Sequence, residues 1–530
     1  MRHTAVMSVG TAVSRLTGFG RLAAMTFALG VTESRLADAY NIANVTPNML
    51  YDLVLGGIIA SVFVPVFVEW MQTHGDEQAW RVARAALTLT AAIGGAITVI
   101  AIVAAPWIIE LYTSRFSGPE AEAARRLATF FLRWFLPQIV LYGLGAGIMT
   151  GLLNAHRKFG VAMFAPVLNN LVVIATFVTF GVIHGQASTS IDSISTGERY
   201  LLAIGTTAGV AAMTAALWPS LRRLGFRWRP SFEWRHPAIR QIGRLAAWQL
   251  VYVVVNQIGL LIVIVLAGPQ QGGYTAYAAA FIFFQLPYGI FAVSIMTALL
   301  PAMSSLWVDQ DLAEFRVQIA RGMRATAFIL LPAAMGYIAL SQPIVRLLLE
   351  HGVTQRQSSD LIGDVLAVFA TGLFSFSLFQ LLARAFYAMQ DTRTPALVKA
   401  GSVVVNVGLN VWFFELFGVQ GLALGHSVAY TVAAVAAGML LRRRIGGLEG
   451  RRLAGGLLRI GVAAGLTGAA AWGAARLVGD ALGTATLLEQ GLQVFAGVLA
   501  GLMIFVASVV LLRVEEFDLV KRFVLARIRR

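Results

Sequence analysis

Residues 84–112 read RAALTLTAAIGGAITVIAIVAAPWIIELY, and Arg84 and Glu110 are the only charges among them. A helix rises about 1.5 Å per residue, so roughly 20 such residues cross a ~30 Å hydrocarbon core. The run is apolar all round, which suits a helix with lipid or other helices on every side. Similar segments extend from it in both directions. Their approximate cores are 5–29, 36–70, 84–112, 127–154, 161–184, 199–220, 244–267, 274–306, 324–342, 360–388, 396–415, 418–441, 457–479 and 490–512. The whole chain is 58% hydrophobic and 13% charged, with mean hydropathy +0.74. The bilayer is its solvent, and the fold class read from this is an all-α integral membrane protein of about fourteen transmembrane helices. The second and eighth segments contain Pro47 and Pro287 and are expected to bend there.

Composition narrows the function. No polar stretch is long enough for a soluble catalytic domain. Cysteine is absent, and the seven histidines show no ligand spacing. The reading is a transporter rather than an enzyme, with no metal and no cofactor. An integral-membrane transferase would need clustered acids or histidines at the membrane surface, and none is found. The net charge of +15 fits cytoplasmic loops, not nucleic-acid binding.

Charge placement sets the topology. With both termini in the cytoplasm, 29 of the 41 basic residues fall in inner joints and the tail, and eight in outer joints. Arg15, Arg21, Arg133 and Arg384 lie within helices. Missing one span would scramble this asymmetry, so an even number of spans is expected. The first segment outruns a signal-peptide core and carries Arg15 and Arg21, so it reads as a retained span. The tail from Glu515 to Arg530, with Phe517, Val520, Phe523 and Val524, reads as a basic interfacial helix.

The halves resemble each other. Ala39-Tyr40 followed by Pro65 matches Ala276-Tyr277 followed by Pro301, and the joint at Asn154–Lys158 matches Tyr387–Asp391. The offsets are 237, 236 and 233 residues. This is the mark of a duplicated six-helix unit with parallel repeats, a transporter architecture. The expected organisation is two pseudo-symmetric lobes, 1–225 and 226–445, with two further helices and the basic tail in 446–530.

The informative residues are the polar ones kept at membrane depth. The first helix carries Ser14, Arg15 and Arg21; the second carries Asp38, Asn41, Asn44, Asn48 and Asp52. A charge at mid-helix costs about 2.5–3.5 kcal/mol, so four together call for a function. At 100° per residue the five on the second helix share a stripe about 120° wide. Such a stripe faces water or another polar helix. The asparagines can equally be packing hydrogen bonds, and Asp38 an ion-pair partner or a cap. Guanidinium groups suit phosphate oxygens, which favours a binding role for Arg15 and Arg21. The C-terminal half is poorer in charge; it holds Gln249, Asn256, Gln257, Gln285, Gln380 and His426. Asn406 and Asn410, one turn apart, are a weak candidate ion site, with packing hydrogen bonds the simpler explanation.

Several runs resemble the MurJ (MviN) lipid II flippases of the MOP exporter superfamily. They are Ser14-Arg15-Leu16-Thr17-Gly18-Phe19-Gly20-Arg21, Asp38-Ala39-Tyr40, Pro47-Asn48 and Phe63-Val64-Pro65. Others are Leu153-Asn154-Ala155 with Arg157-Lys158-Phe159, Ala165-Pro166 with Asn169, and Arg384-Ala385-Phe386-Tyr387-Ala388 with Asp391-Thr392 and Thr394-Pro395. The resemblance covers essentially the whole chain. It implies a MATE-like fold and movement of lipid-linked peptidoglycan precursor to the outer leaflet of the bacterial cytoplasmic membrane by alternating access. It also implies a precursor-binding role for Ser14, Arg15, Arg21 and Asp38, and a polyprenyl-tail groove at the last two helices. Asn41, Asn48 and Asp52 join the binding set from the residues themselves. Expected partners are the lipid-linked precursor, membrane lipids and cell-wall synthesis proteins, with no nucleic acid; expected coupling is to sodium or the membrane potential. The chain departs from the family where Asp52 and Phe281 replace basic residues, and where Tyr51-Asp52…Gly56-Gly57 stands for Arg-Arg…Glu-Gly. Another polyprenyl-linked saccharide or a drug as cargo, or a non-transporting cell-wall scaffold, are the alternatives.

Overall fold

The computed structural model describes residues 2–52, 63–185, 190–448 and 450–517; for 2–9, 11, 243–252 and 451 it describes the backbone only. The expected features at Gly56-Gly57, Gln249 and most of the basic tail, including Val520, Phe523 and Val524, lie outside the described residues. Everything described is helix, turn or irregular chain, without strands. Ten helices among the described residues are long and apolar enough to cross a membrane, or eleven with one bent pair. The expected spans not among these are 5–29, 36–70 and 244–267. Arg15 and Arg21 lower the hydropathy of the first, and the other two run through residues 53–62 and 243–252.

The chain divides into two compact units, one of Met1–Thr275 with His351–Gln355, the other of Ala276–Glu350 with Arg356–Arg530. The first contains α1 (Arg2–Leu29), α2 (Leu36–Tyr51) and α3 (Val64–Tyr112), which is interrupted at Gly75, φ 83°. Next come α4 (Ala121–Phe135), α5 (Gln138–Tyr142), a π-helical stretch at Gly143–Met149 and α6 (Thr150–Ala155). Then follow α7 (Phe159–His184), α8 (Thr196–Arg223) and α9 (Pro237–Ala267). α1 lies along α7, where Gly10 abuts Met163 and Gly181 abuts Phe27, so small residues let the two backbones approach. A core of Phe63, Phe67, Leu152, Leu153, Leu217 and Phe226 ties α3, α6, α8 and the following joint together.

The second unit takes up the chain within α10 (Gly273–Pro287), which passes at Tyr288–Ala292 into a π-helical turn and then α11 (Val293–Val308). At Pro287, where a bend is expected, the backbone changes register, and Gly273–Val308 runs on as one span. α12 (Leu312–Leu349) follows, then α13 (Arg356–Thr371), α14 (Leu373–Ala388), α15 (Arg393–Phe417) and α16 (Val419–Ile445). The segment 360–388, expected as one span, is instead bent by 46° between α13 and α14. Gly372 sits at the break because a Cβ there would meet Ser427 of α16, backbone and side chain alike, at 2.6–2.7 Å. The Ser427 hydroxyl faces the carbonyls of Val368 at 3.2 Å and Phe369 at 3.5 Å, near the α13 end. α17 (Gly450–Leu482) and α18 (Leu487–Leu511) complete the unit. Gly497 and Gly501 of α18 meet Ala475, Ala471 and Thr467 of α17.

The sequence repeat has a backbone counterpart. Arg157 and Gln390, 233 residues apart, both take the left-handed conformation, at φ 57° and 59°. Each ends its helix with the same pair of bonds: Arg157 N to Asn154 O and Lys158 N to Leu153 O, then Gln390 N to Tyr387 O and Asp391 N to Phe386 O.

Candidate functional site

The N-terminal polar residues fall into two groups. At the start of α2, Arg35 and Asp38 form a buried knot. Arg35 is 3% exposed. Its guanidinium donates to the carbonyls of Gly268, Ser117 and Pro269 and lies 4.2 Å over the ring of Phe116. Asp38, 1% exposed, accepts from Gly272 N at 2.8 Å, Thr275 N at 3.1 Å and Thr275 Oγ1 at 2.7 Å. Asn41 Nδ2 donates to Thr275 Oγ1 at 3.1 Å. Asp38 thus binds the free N–H groups at the start of α10, which is the capping role its position also allowed. Both its oxygens are used, and Asn41 completes the same network.

The second group lies deeper along α1 and α2. Arg21 faces the phenols of Tyr40, which is buried, and Tyr142, which is partly buried. Tyr40 is held edge-on by Phe131, Phe135 and Phe177. Its hydroxyl is 2.7 Å from Thr206 Oγ1. Thr206 gives its own proton to Leu202 O, so Tyr40 donates to Thr206 and keeps its lone pairs for Arg21. Asn48 and Asn169 stand beside the Tyr142 hydroxyl. Asn170 donates to Ser14 O at 3.2 Å and Thr17 Oγ1 at 3.0 Å, pinning α1 to α7 next to the arginines. The Arg15 Nε is buried and has no hydrogen-bond partner. No carboxylate pairs with Arg15 or Arg21 among the described residues. Asp52 is exposed, and Gln257 Nε2 approaches its Oδ2 at 3.4 Å.

The structure therefore brings Arg21 and Asn48 together, keeps Ser14 and Arg15 on the same helix as Arg21, and places Asp38 and Asn41 in the knot. Tyr40, Tyr142, Asn169 and Thr206 join this group; Tyr40 and Asn169 lie in the runs that resemble the family, whereas Tyr142 and Thr206 carry no signal in the sequence. Guanidinium N–H groups and neutral amides without a paired acid make a receptor for anionic oxygen.

In the second unit, Asn406 and Asn410 exchange hydrogen bonds, 3.3 Å from Asn406 Nδ2 to Asn410 Oδ1 and 3.2 Å in return. Asn410 is fully buried. Each carbonyl that could serve a cation holds the other's amide. Phe281 lies in an aromatic cluster with Tyr277, Phe284 and Phe369 around His426. Among the described residues no group of three or more histidines and acids could hold a metal ion.

The family model for lipid II flippase MurJ matches residues 26–492. A probable lipid II flippase MurJ of Rhizobium meliloti (strain 1021) is 30% identical over 440 residues, 82% of this chain and 79% of its own. One of Synechocystis is 27% identical and covers 97% of this chain and 95% of its own. Among solved structures, a lipid II flippase MurJ in an inward closed conformation superposes with TM-score 0.76 at 21% identity, over 97% of this chain and 100% of that one. An inward-facing MATE-family multidrug transporter of the MOP superfamily gives 0.67 at 16% identity, over 83% and 99%. These two likenesses establish the fold.

Proposed function

The chain belongs to the MurJ family of lipid II flippases, and from that premise we propose that it moves lipid-linked peptidoglycan precursor from the cytoplasmic to the outer leaflet by alternating access. It is a multi-pass bacterial membrane protein; the basic-residue asymmetry supports cytoplasmic placement of both termini. The observation that carries the reading is a contrast between arginines. Arg35 is held by three carbonyls, whereas Arg15 and Arg21 sit at membrane depth without an acid among the described residues. An arginine kept there at a cost of about 2.5–3.5 kcal/mol is matched to an anion that comes and goes.

In this reading Arg21, with Arg15, meets the precursor diphosphate, and Asn48, Tyr142 and Asn169 offer amide and hydroxyl groups to the neighbouring oxygens. Ser14 fixes α1 through Asn170, while Asp38 and Asn41 keep α2 in place. Asp52 repels excess negative charge and tunes which head group is accepted. The polyprenyl tail stays in lipid, so only the head needs desolvation. The lobes 1–225 and 226–445 are the bodies that change state. The membrane potential, worth about 2.3 kcal/mol per charge per 100 mV, or a sodium gradient resets them; collapsing each gradient separately in vesicles distinguishes the two. Asn406 and Asn410 would have to release each other to take up sodium.

The test is complementation of a bacterium depleted of its own lipid II flippase. Growth restored by this chain, with outer-leaflet precursor restored, is the expected result. The exposed Asp52 in place of a family arginine favours a second cargo, another polyprenyl-linked saccharide. Folded protein at the membrane that restores neither growth nor flipping would move the assignment there.

A further inference from the structure

A cavity of about 690 Å³ opens on the first unit where α3 ends and α4 and α8 begin. None of its lining residues belongs to the group around Arg21. One wall is aromatic: Tyr200 stands edge-on to Phe130 at 5.2 Å and to Trp134 at 5.5 Å. Glu110 of α3 and Arg126 and Arg133 of α4 line the rest. Arg126 and Arg133 are seven residues apart, so they share a helix face and differ in depth by about 10 Å. Two other charges are already engaged. Arg125 donates to Thr113 Oγ1 and Thr113 O, and Glu122 lies 3.7 Å from Arg125 and 3.6 Å from Arg126. Glu110 and Arg133 are both exposed, and neither has an ion pair or a hydrogen bond among the described residues.

The surroundings indicate bilayer contact. Trp107 and Leu111 on α3 are 67% and 53% exposed. Tryptophan and tyrosine gather at head-group level, and Trp134 and Tyr200 are the residues of that kind in this wall. Snorkelling accounts for a lone arginine at such depth. Water can hydrate the exposed Glu110, but it leaves open why this acid faces the same aromatic-walled cavity as Arg133 without pairing to it. A free acid and a free guanidinium, held apart instead of joined, match a ligand with both charges.

We propose that this cavity binds the head group of an outer-leaflet phospholipid that carries a phosphate and a primary ammonium, the phosphate against Arg133 and the ammonium against Glu110. The leaflet rests on the cytoplasmic placement of the termini; the binding does not, and it is read without a flipping assay.

The full chain is purified and offered an equimolar mixture of phosphatidylethanolamine, phosphatidylglycerol and phosphatidylcholine, and retained lipids are counted by native mass spectrometry. Phosphatidylethanolamine should exceed each of the others by about threefold or more, the scale of one exposed charge pair. Glu110→Gln should bring it down to the level of phosphatidylglycerol, and Arg133→Gln should lower both together. Equal retention of the three lipids, or ratios unmoved in both variants while thermal unfolding is also unmoved, overturns the proposal. So does displacement of bound lipid by millimolar inorganic phosphate, which would make the ligand a free oxyanion. A chain that keeps this lipid preference yet fails to restore precursor flipping would overturn the flippase reading alone.

Discussion

The two units repeat one frame and fill it differently. In the first, the repeated Ala-Tyr places Tyr40 edge-on to Phe131, Phe135 and Phe177, with its hydroxyl turned to Thr206 and Arg21. In the second, Tyr277 meets Phe281 and Phe369, and four phenylalanines close around His426. The helix ends at Arg157 and Gln390 keep the same left-handed turn and the same bonds. Turn geometry thus survives in both copies, while Arg15 and Arg21, without an acid, occupy one and an aromatic core the other. A duplicated scaffold can divide its labour this way, with one half receiving charge and the other supplying a stiff apolar body.

The largest expected effect separates the halves directly. The double variant Arg15→Ala, Arg21→Ala should abolish complementation, since each charge-assisted bond is worth about 1.5–3 kcal/mol, or tenfold and more in rate. His426→Phe in the second unit should leave growth within about twofold of the parent. Equal loss in both would erase the division of labour.

The next effect concerns the knot at α2. Asp38→Ala leaves Gly272 N, Thr275 N and the Thr275 hydroxyl without their acceptor. Thermal unfolding of the purified protein should show about 3 kcal/mol of lost stability, and Asp38→Asn a smaller loss. A variant that unfolds like the parent but no longer flips would return Asp38 to the binding set.

Ser427→Ala sharpens the second unit. Removing the hydroxyl that faces the carbonyls at the α13 end should cost about 1 kcal/mol. Gly372→Ala should cost more, because the new methyl meets the Ser427 backbone as well as its side chain.

The smallest effect is a pH dependence in the first unit. Arg81 Nε donates to both oxygens of Glu233, at 2.9 and 2.8 Å, and Ser231 donates to Oε1. Chiefly the Arg81 bond holds the Glu233 carboxyl below the usual carboxylate range. A lowered folded-state value means that this stabilisation is full above the unfolded carboxylate value of about 4.3 and disappears as pH falls through the lower folded value. The pair is partly exposed, so the difference between parent and Glu233→Gln should stay under about 1 kcal/mol and vanish in acid.

Much of this was legible in the chain. Apolar runs such as 84–112 announce helices in lipid, because length and hydropathy alone decide that state. Arg15 and Arg21 stand out for the same reason. The knot was not legible. Asp38 and Arg35 meet partners some 233–237 residues away in sequence, and an acid awaiting a substrate reads the same as an acid capping a distant helix. Tyr142 and Asn169 are ordinary residues for a membrane helix, and only packing places Tyr142 beside Arg21 and Asn169 beside Tyr142. The bend at Gly372 was also hidden, and so was the need for glycine there, because the residue it packs against, Ser427, is on another helix.

The most direct measurement is flipping of fluorescent lipid II in proteoliposomes containing the parent, Arg21→Ala or Arg21→Lys, each checked for unchanged thermal unfolding. Loss of flipping by about tenfold or more in the alanine variant, with partial recovery in the lysine variant, is expected of a guanidinium that receives the diphosphate. Parental flipping in a stably folded Arg21→Ala protein would contradict it.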